Sequence, residues 1–155
     1  MKPLKSKYLV LAIAFQLALL SCQSLKTAIF DQYSYQQAIS LKVESGNLIE
    51  DATISYDDYE YEANNLLLEL QKMVEYEKNK PNNEVSYAMW NVMANKDKNL
   101  LGGFLKRWNE EEILSEAFTQ EAKLQIMEAF DLIIKYEAQK NKTNESNILN
   151  FLSNN

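Results

Sequence analysis

Histidine is absent from the 155 residues, and with it the commonest general base and the commonest transition-metal ligand. A di-iron bundle, which needs Glu-x-x-His pairs, cannot be built. Serines occur, but without a Gly-x-Ser-x-Gly elbow or an imidazole to serve one, so nucleophilic catalysis has no support. The one cysteine, Cys22, excludes an intrachain disulfide, so the fold must hold by packing alone. Three glycines and two prolines are very few. Such scarcity of breakers, beside abundant Glu, Lys, Leu, Ala and Gln, favours long helices over a hairpin-rich sheet. The pair Gly102-Gly103 lacks the wider spacing of a phosphate-cradling loop. No internal repeat is evident. Cationic charge is thin: Arg107 is the sole arginine and the formal net charge is −6. An acidic surface argues against a nucleic-acid partner, which requires a basic patch. The reading is of a non-enzymatic protein with no cofactor and no metal.

The start of the chain is its most informative stretch. Lys2, Lys5 and Lys7 precede an apolar run from Leu9 to Leu20 interrupted only by Gln16. That length suits the core of a signal peptide and falls short of the roughly 20 residues a membrane-spanning helix needs. The run ends in Leu19-Leu20-Ser21-Cys22, which resembles the lipobox of bacterial lipoproteins. The resemblance covers the first 22 residues. It implies diacylglycerol on the Cys22 sulfur, cleavage after Ser21 and a further acyl chain on the new amino terminus. Two or more chains anchor stably where one binds only marginally. The membrane is thus one expected partner, through lipid on Cys22. Gln23 is not the Asp that retains lipoproteins in the inner membrane, so the resemblance points to the outer membrane and its periplasmic face.

Removal of residues 1–21 leaves 134 residues, enough for one domain. Thirteen basic against twenty-two acidic side chains then give a net charge of −9, which argues against lying flat on anionic lipid. After a tether at 22–29, apolar residues recur at three- and four-residue spacing in four stretches, about 30–52, 56–79, 84–95 and 115–140. The clearest stripe is Tyr59, Ala63, Leu66, Leu67, Leu70, Met73 and Val74. Asp31 is placed to cap the first helix. Pro81 breaks the second. The expected fold is all-α, an antiparallel bundle of about four helices over 30–140, followed by a polar, flexible tail at 141–155 whose Ile148, Leu149, Phe151 and Leu152 either dock on the bundle or hang free.

Three constellations are candidates for function. In Tyr56-Asp57-Asp58-Tyr59-Glu60-Tyr61-Glu62, four carboxylates and three tyrosines crowd a helix start. The spacing fails the calcium-loop pattern, and acids in a first turn are what a helix start prefers. Glu110-Glu111-Glu112 reads as a solvated run, because adjacent residues on a helix do not face each other. In 99–108, Leu100, Leu101, Phe104, Leu105 and Trp108 recur at helical spacing but are interrupted by Gly102-Gly103. One reading makes this segment a recognition surface, with Leu100, Leu101, Phe104, Arg107 and Trp108 as the partner-binding residues. The other folds it as a loop over the open end of the bundle, its apolar groups in the core and Arg107 paired with a nearby Glu. The leading expectation is a membrane-anchored module that binds another envelope protein. The alternative is a bundle that binds a small ligand or cation through the 56–62 region.

Overall fold

Helical periodicity accounts for most of the architecture. The computed structural model describes residues 29–154, and every regular element among them is helical. Helix α1 (Gln32–Glu50) starts at Asp31, whose carboxylate accepts from the backbone N–H groups of Tyr33 at 2.9 Å and Ser34 at 3.4 Å. Two short 3-10 turns (Asp51–Thr53 and Tyr56–Tyr59) lead into α2 (Glu60–Lys78). There follow α3 (Glu84–Ala94), α4 (Leu101–Glu111), α5 (Glu116–Ala138) and α6 (Lys142–Asn154). Ser115 caps α5 by accepting from the N–H of Phe118.

Four of these helices, α1, α2, α3 and α5, pack in a closed ring, each antiparallel to its neighbours. Ion pairs Lys42–Asp131 and Lys123–Glu50 fix the direction of α5 on α1. Trp90 meets Phe130 edge-on at 6.3 Å across α3 and α5. Leu41, Ile49, Leu70, Met73, Met89 and Ile133 fill the centre. These four helices are the ones the spacing predicts.

The described chain has six helices, not about four. Helix α4 was expected as an interrupted segment because of its two glycines. Neither has a positive φ. A Cβ on Gly102 would collide with the carbonyl oxygen of Ala94, and one on Gly103 with that of Lys98. The glycines therefore let the first turn of α4 press against the preceding backbone, a close approach rather than a turn. Helix α6 replaces the expected flexible tail. Its polar residues close helix ends: the side-chain amide of the buried Asn144 donates to the carbonyls of Gln139 at 2.8 Å and Lys135 at 3.3 Å. Ile148 is buried in the core.

The two ends of the ring differ. At the end where the chain enters at Ile29, Glu77 and Glu137 are fully buried. Each follows the apolar stripe of its helix by four residues, after Met73 and Ile133, so the helical period carries it inside. Each is met by a lysine three residues on: Lys80 at 3.1 Å and Lys140 at 2.9 Å. The hydroxyls of Ser34 and Ser86 donate to Glu77 and Glu137 respectively. Asn83 donates to Glu77 and accepts from Lys140 at 3.1 Å, which joins the two pairs. Tyr-Glu-x-x-Lys thus occurs twice, at 76–80 and 136–140.

Lys80 also pairs with Asp31 at 2.8 Å, and the Tyr76 hydroxyl donates to the same carboxylate at 2.8 Å. Burial alone would raise the Asp31 pKa, but these hydrogen bonds and the Lys80 charge outweigh it and hold the carboxyl well below its usual range. Burial likewise works to lower Lys80, yet Asp31 and Glu77 raise it overall. Tyr136 is pushed up to about 12 by burial and by the charges of Glu145 and Glu137.

At the opposite end the closure is aromatic. The indole N–H of Trp108 donates to the carbonyl of Ile54 at 3.0 Å. Its ring meets Tyr56 edge-on at 5.4 Å and Tyr59 at 5.8 Å.

Candidate functional site

Helix α4 turns its apolar face inward. Leu100, Leu101, Phe104 and Trp108, expected as partner-binding residues, are buried in the core together with Leu105. Their spacing of three and four puts them on one face, and that face is covered by the rest of the bundle. They therefore present no surface to a partner. Arg107 alone of the five is exposed. It pairs with Glu111 at 2.8 Å and lies 4.1 Å from the centre of the Phe118 ring. Of the two readings of this segment, the one that fills the core describes all five named residues, Arg107 through its pair with Glu111, although the segment is a helix and not a loop. Cys22, the expected lipidation site, lies outside the described residues.

A different surface is exposed at the same end. The 3-10 turns and the α4–α5 corner are tied together by two backbone bonds, Tyr56 N–H to the Glu112 carbonyl at 2.8 Å and Leu114 N–H to the Ala52 carbonyl at 2.9 Å. These bonds set Ile54 and Ile113 beside each other, 44% and 57% exposed. Glu112 at the corner has φ +64°, a conformation that is uncommon for a residue with a side chain. Exposed carboxylates flank the two isoleucines in the chain: Asp57, Asp58 and Glu60 follow Ile54, and Glu110, Glu111 and Glu112 precede Ile113, with Glu111 paired to Arg107. Six of the chain's carboxylates thus belong to the turns and corner at the end opposite Ile29. Sequence reasoning passed over Ile54 and Ile113. Two lone isoleucines outside any stripe carry no signal until the corner brings them together.

Part of the 56–62 constellation lines a cleft of about 280 Å³ between α1 and α2. Tyr59, Tyr61 and Glu62 form one wall; Glu44, Asn47 and Asp51 form the other. Burial, then the charge of Asp51 and its hydrogen bond, raise the Tyr59 pKa. Asp57 and Asp58 point elsewhere, in the 3-10 turn, where they offset the partial positive charge of a helix start. Among the described residues, no three acidic side chains converge closely enough to hold a metal ion. The cleft offers carboxylates and aromatic faces, a chemistry suited to an amine or a polyol.

Among the described residues, no helix is long and apolar enough to cross a membrane. No family model, no curated protein and no solved structure matches the chain.

Proposed function

We propose that this chain is a non-enzymatic, lipid-anchored helical module of the bacterial cell envelope that holds another envelope protein at the end of its bundle farthest from the anchor. The anchor half rests on the basic, apolar and Leu-Leu-Ser-Cys features of residues 1–22. The interaction half is supported by one observation: Ile29, the described residue nearest Cys22, and the Ile54–Ile113 surface lie at opposite ends of the ring. An exposed apolar pair flanked in the chain by carboxylates suits a partner with an apolar contact and basic surroundings. Tethering confines the module to the membrane, so modest affinity suffices.

The test is capture from detergent-solubilised envelopes with the full chain as bait. One protein should be enriched with wild type and with Leu124→Asp, a substitution at another exposed site, and lost with Ile113→Asp. All three baits should melt alike by circular dichroism. The same proteins captured by all three, or none by any, would overturn the interaction reading. The mass of residue 22 reads the anchor separately.

The second reading, a small-ligand or cation module at the envelope, is favoured by the cleft between α1 and α2. Calcium, spermidine or a simple sugar should then raise the melting temperature in proportion to occupancy, and Glu62→Gln should blunt the rise. A melting temperature unmoved by all three counts against it.

A further inference from the structure

We propose that the chain-entry end of the bundle is a membrane-docking face, in which Ile29, Phe30, Tyr33 and Tyr76 sit at the headgroup–acyl boundary of the bilayer that holds Cys22. The inference rests on the anchor reading given above and adds an orientation to it. Ile29 is 86% and Phe30 55% exposed, and Tyr33 and Tyr76 are exposed beside them. Scattered single apolar residues on a surface need no explanation, but four at one end, three of them aromatic, do. The rings are already held. Tyr33 packs on Tyr76 at 4.7 Å, Phe30 lies 6.2 Å from Tyr35, and Tyr76 is fixed by its bond to Asp31. Insertion therefore orders little that is not ordered before. Aromatic residues with one apolar and one polar side are the ones that favour the membrane interface.

Reach selects this end. Seven residue steps separate Cys22 from Ile29, and a chain spans at most about 3.6 Å per step, so Ile29 lies within about 25 Å of the anchor. The far end is a further 19-residue helix away, about 28 Å along α1. Charge selects it as well. The buried carboxylates here are matched within the bundle by Lys80 and Lys140, and the exposed Lys78, paired with Glu75 at 3.1 Å, and Lys142 offset the exposed Glu75 and Glu84. At the far end Glu111 pairs with Arg107, but Asp57, Asp58, Glu60 and Glu110 are exposed carboxylates that anionic headgroups repel. The acidity that argues against lying flat on the membrane favours standing on this end.

The experiment uses the full chain purified from membranes and reconstituted in phosphatidylethanolamine–phosphatidylglycerol vesicles doped with brominated phosphatidylcholine. Trp90 and Trp108 are buried and give the background. Phe30→Trp and Ile113→Trp add a reporter at each end, and intact mass reads acylation of Cys22 in every sample. The expected result is an acylated protein in which bromolipid removes most of the added emission of Phe30→Trp and none of that of Ile113→Trp. An acylated protein quenched equally at both ends, or at neither, overturns the docking face and leaves the anchor standing. A blue-shifted but unquenched Phe30→Trp assigns the face to a second copy of the chain and overturns docking on lipid. An unacylated Cys22 overturns the anchor and this orientation with it.

Discussion

At the chain-entry end two glutamates are buried and answered by lysines; at the other end a tryptophan and two tyrosines close the ring and no glutamate or aspartate among the described residues is buried. The two closures obey different rules. A buried polar network holds only if complete, because one missing partner leaves a charge that neither water nor protein compensates. The aromatic cap depends on volume and contact, and changes of charge around it matter little. The polar end is therefore the place where a single substitution acts through its partners, and the aromatic end the place where it acts through the space it leaves.

The largest effects should come from breaking each closure by its own rule. Lys140→Met leaves Glu137 uncompensated in the core and should cost about 3–5 kcal/mol in urea unfolding. The double variant Lys140→Met with Glu137→Leu should recover most of that loss, since replacing a whole buried pair by apolar groups is often neutral. Trp108→Ala at the other end should also cost about 3–5 kcal/mol, through lost burial and a cavity. No second charge substitution should repair it. A double variant at the polar end no more stable than Lys140→Met alone would erase the distinction between the ends.

Glycine sharpens the contrast at a smaller scale. In an exposed helix, Gly→Ala gains about 1 kcal/mol. Gly103→Ala should instead destabilise by about 1–3 kcal/mol, because its Cβ would meet the carbonyl of Lys98. Gly46→Ala in α1 should follow the ordinary rule, since its Cβ would meet only flexible side chains, Met127 at 3.5 Å and Lys123 at 4.0 Å. Thermal melts of the two variants should move in opposite directions.

The same residues show what the sequence can convey. The four ring helices were legible because Leu66, Leu70, Met73 and their counterparts repeat at the helical period. Helix α4 was legible as a stripe and then misjudged, because a close backbone approach and a tight turn both call for glycine and only the fold tells them apart. Helix α6 was hidden by composition: Asn144 looks like a residue of a fraying tail until α5 supplies carbonyls for it to cap. The polar closure left a signal that was not used, a glutamate on an apolar stripe with lysine three residues later, at Glu77 and again at Glu137. Tyr59, Tyr61 and Glu62 were legible as one wall of a cleft, but Glu44, Asn47 and Asp51 reach the other wall only through the pairing of α1 with α2. The exposed Ile54–Ile113 pair depends on two backbone bonds between residues 56 and 62 positions apart, which no local pattern encodes.

The smallest effect tests the polar end by pH. The folded chain holds Asp31 ionised more strongly than the unfolded chain, so near and below its ordinary pKa of 3.8 the unfolded state binds more protons. The Asp31–Lys80 pair thus contributes stability that is fully present above that value and drains away as pH falls further. Asp31 keeps some contact with water, which limits the pair to about 1 kcal/mol or less. Asp31→Asn retains a capping side chain for α1 while removing the charge, so it isolates the ion pair. The melting temperatures of wild type and Asp31→Asn should differ most near pH 7 and converge below pH 3.8. A gap that is absent or stays constant through that range would mean the charge of Asp31 adds nothing to stability, and the polar closure would then end at Glu77 rather than extend to the surface through Lys80.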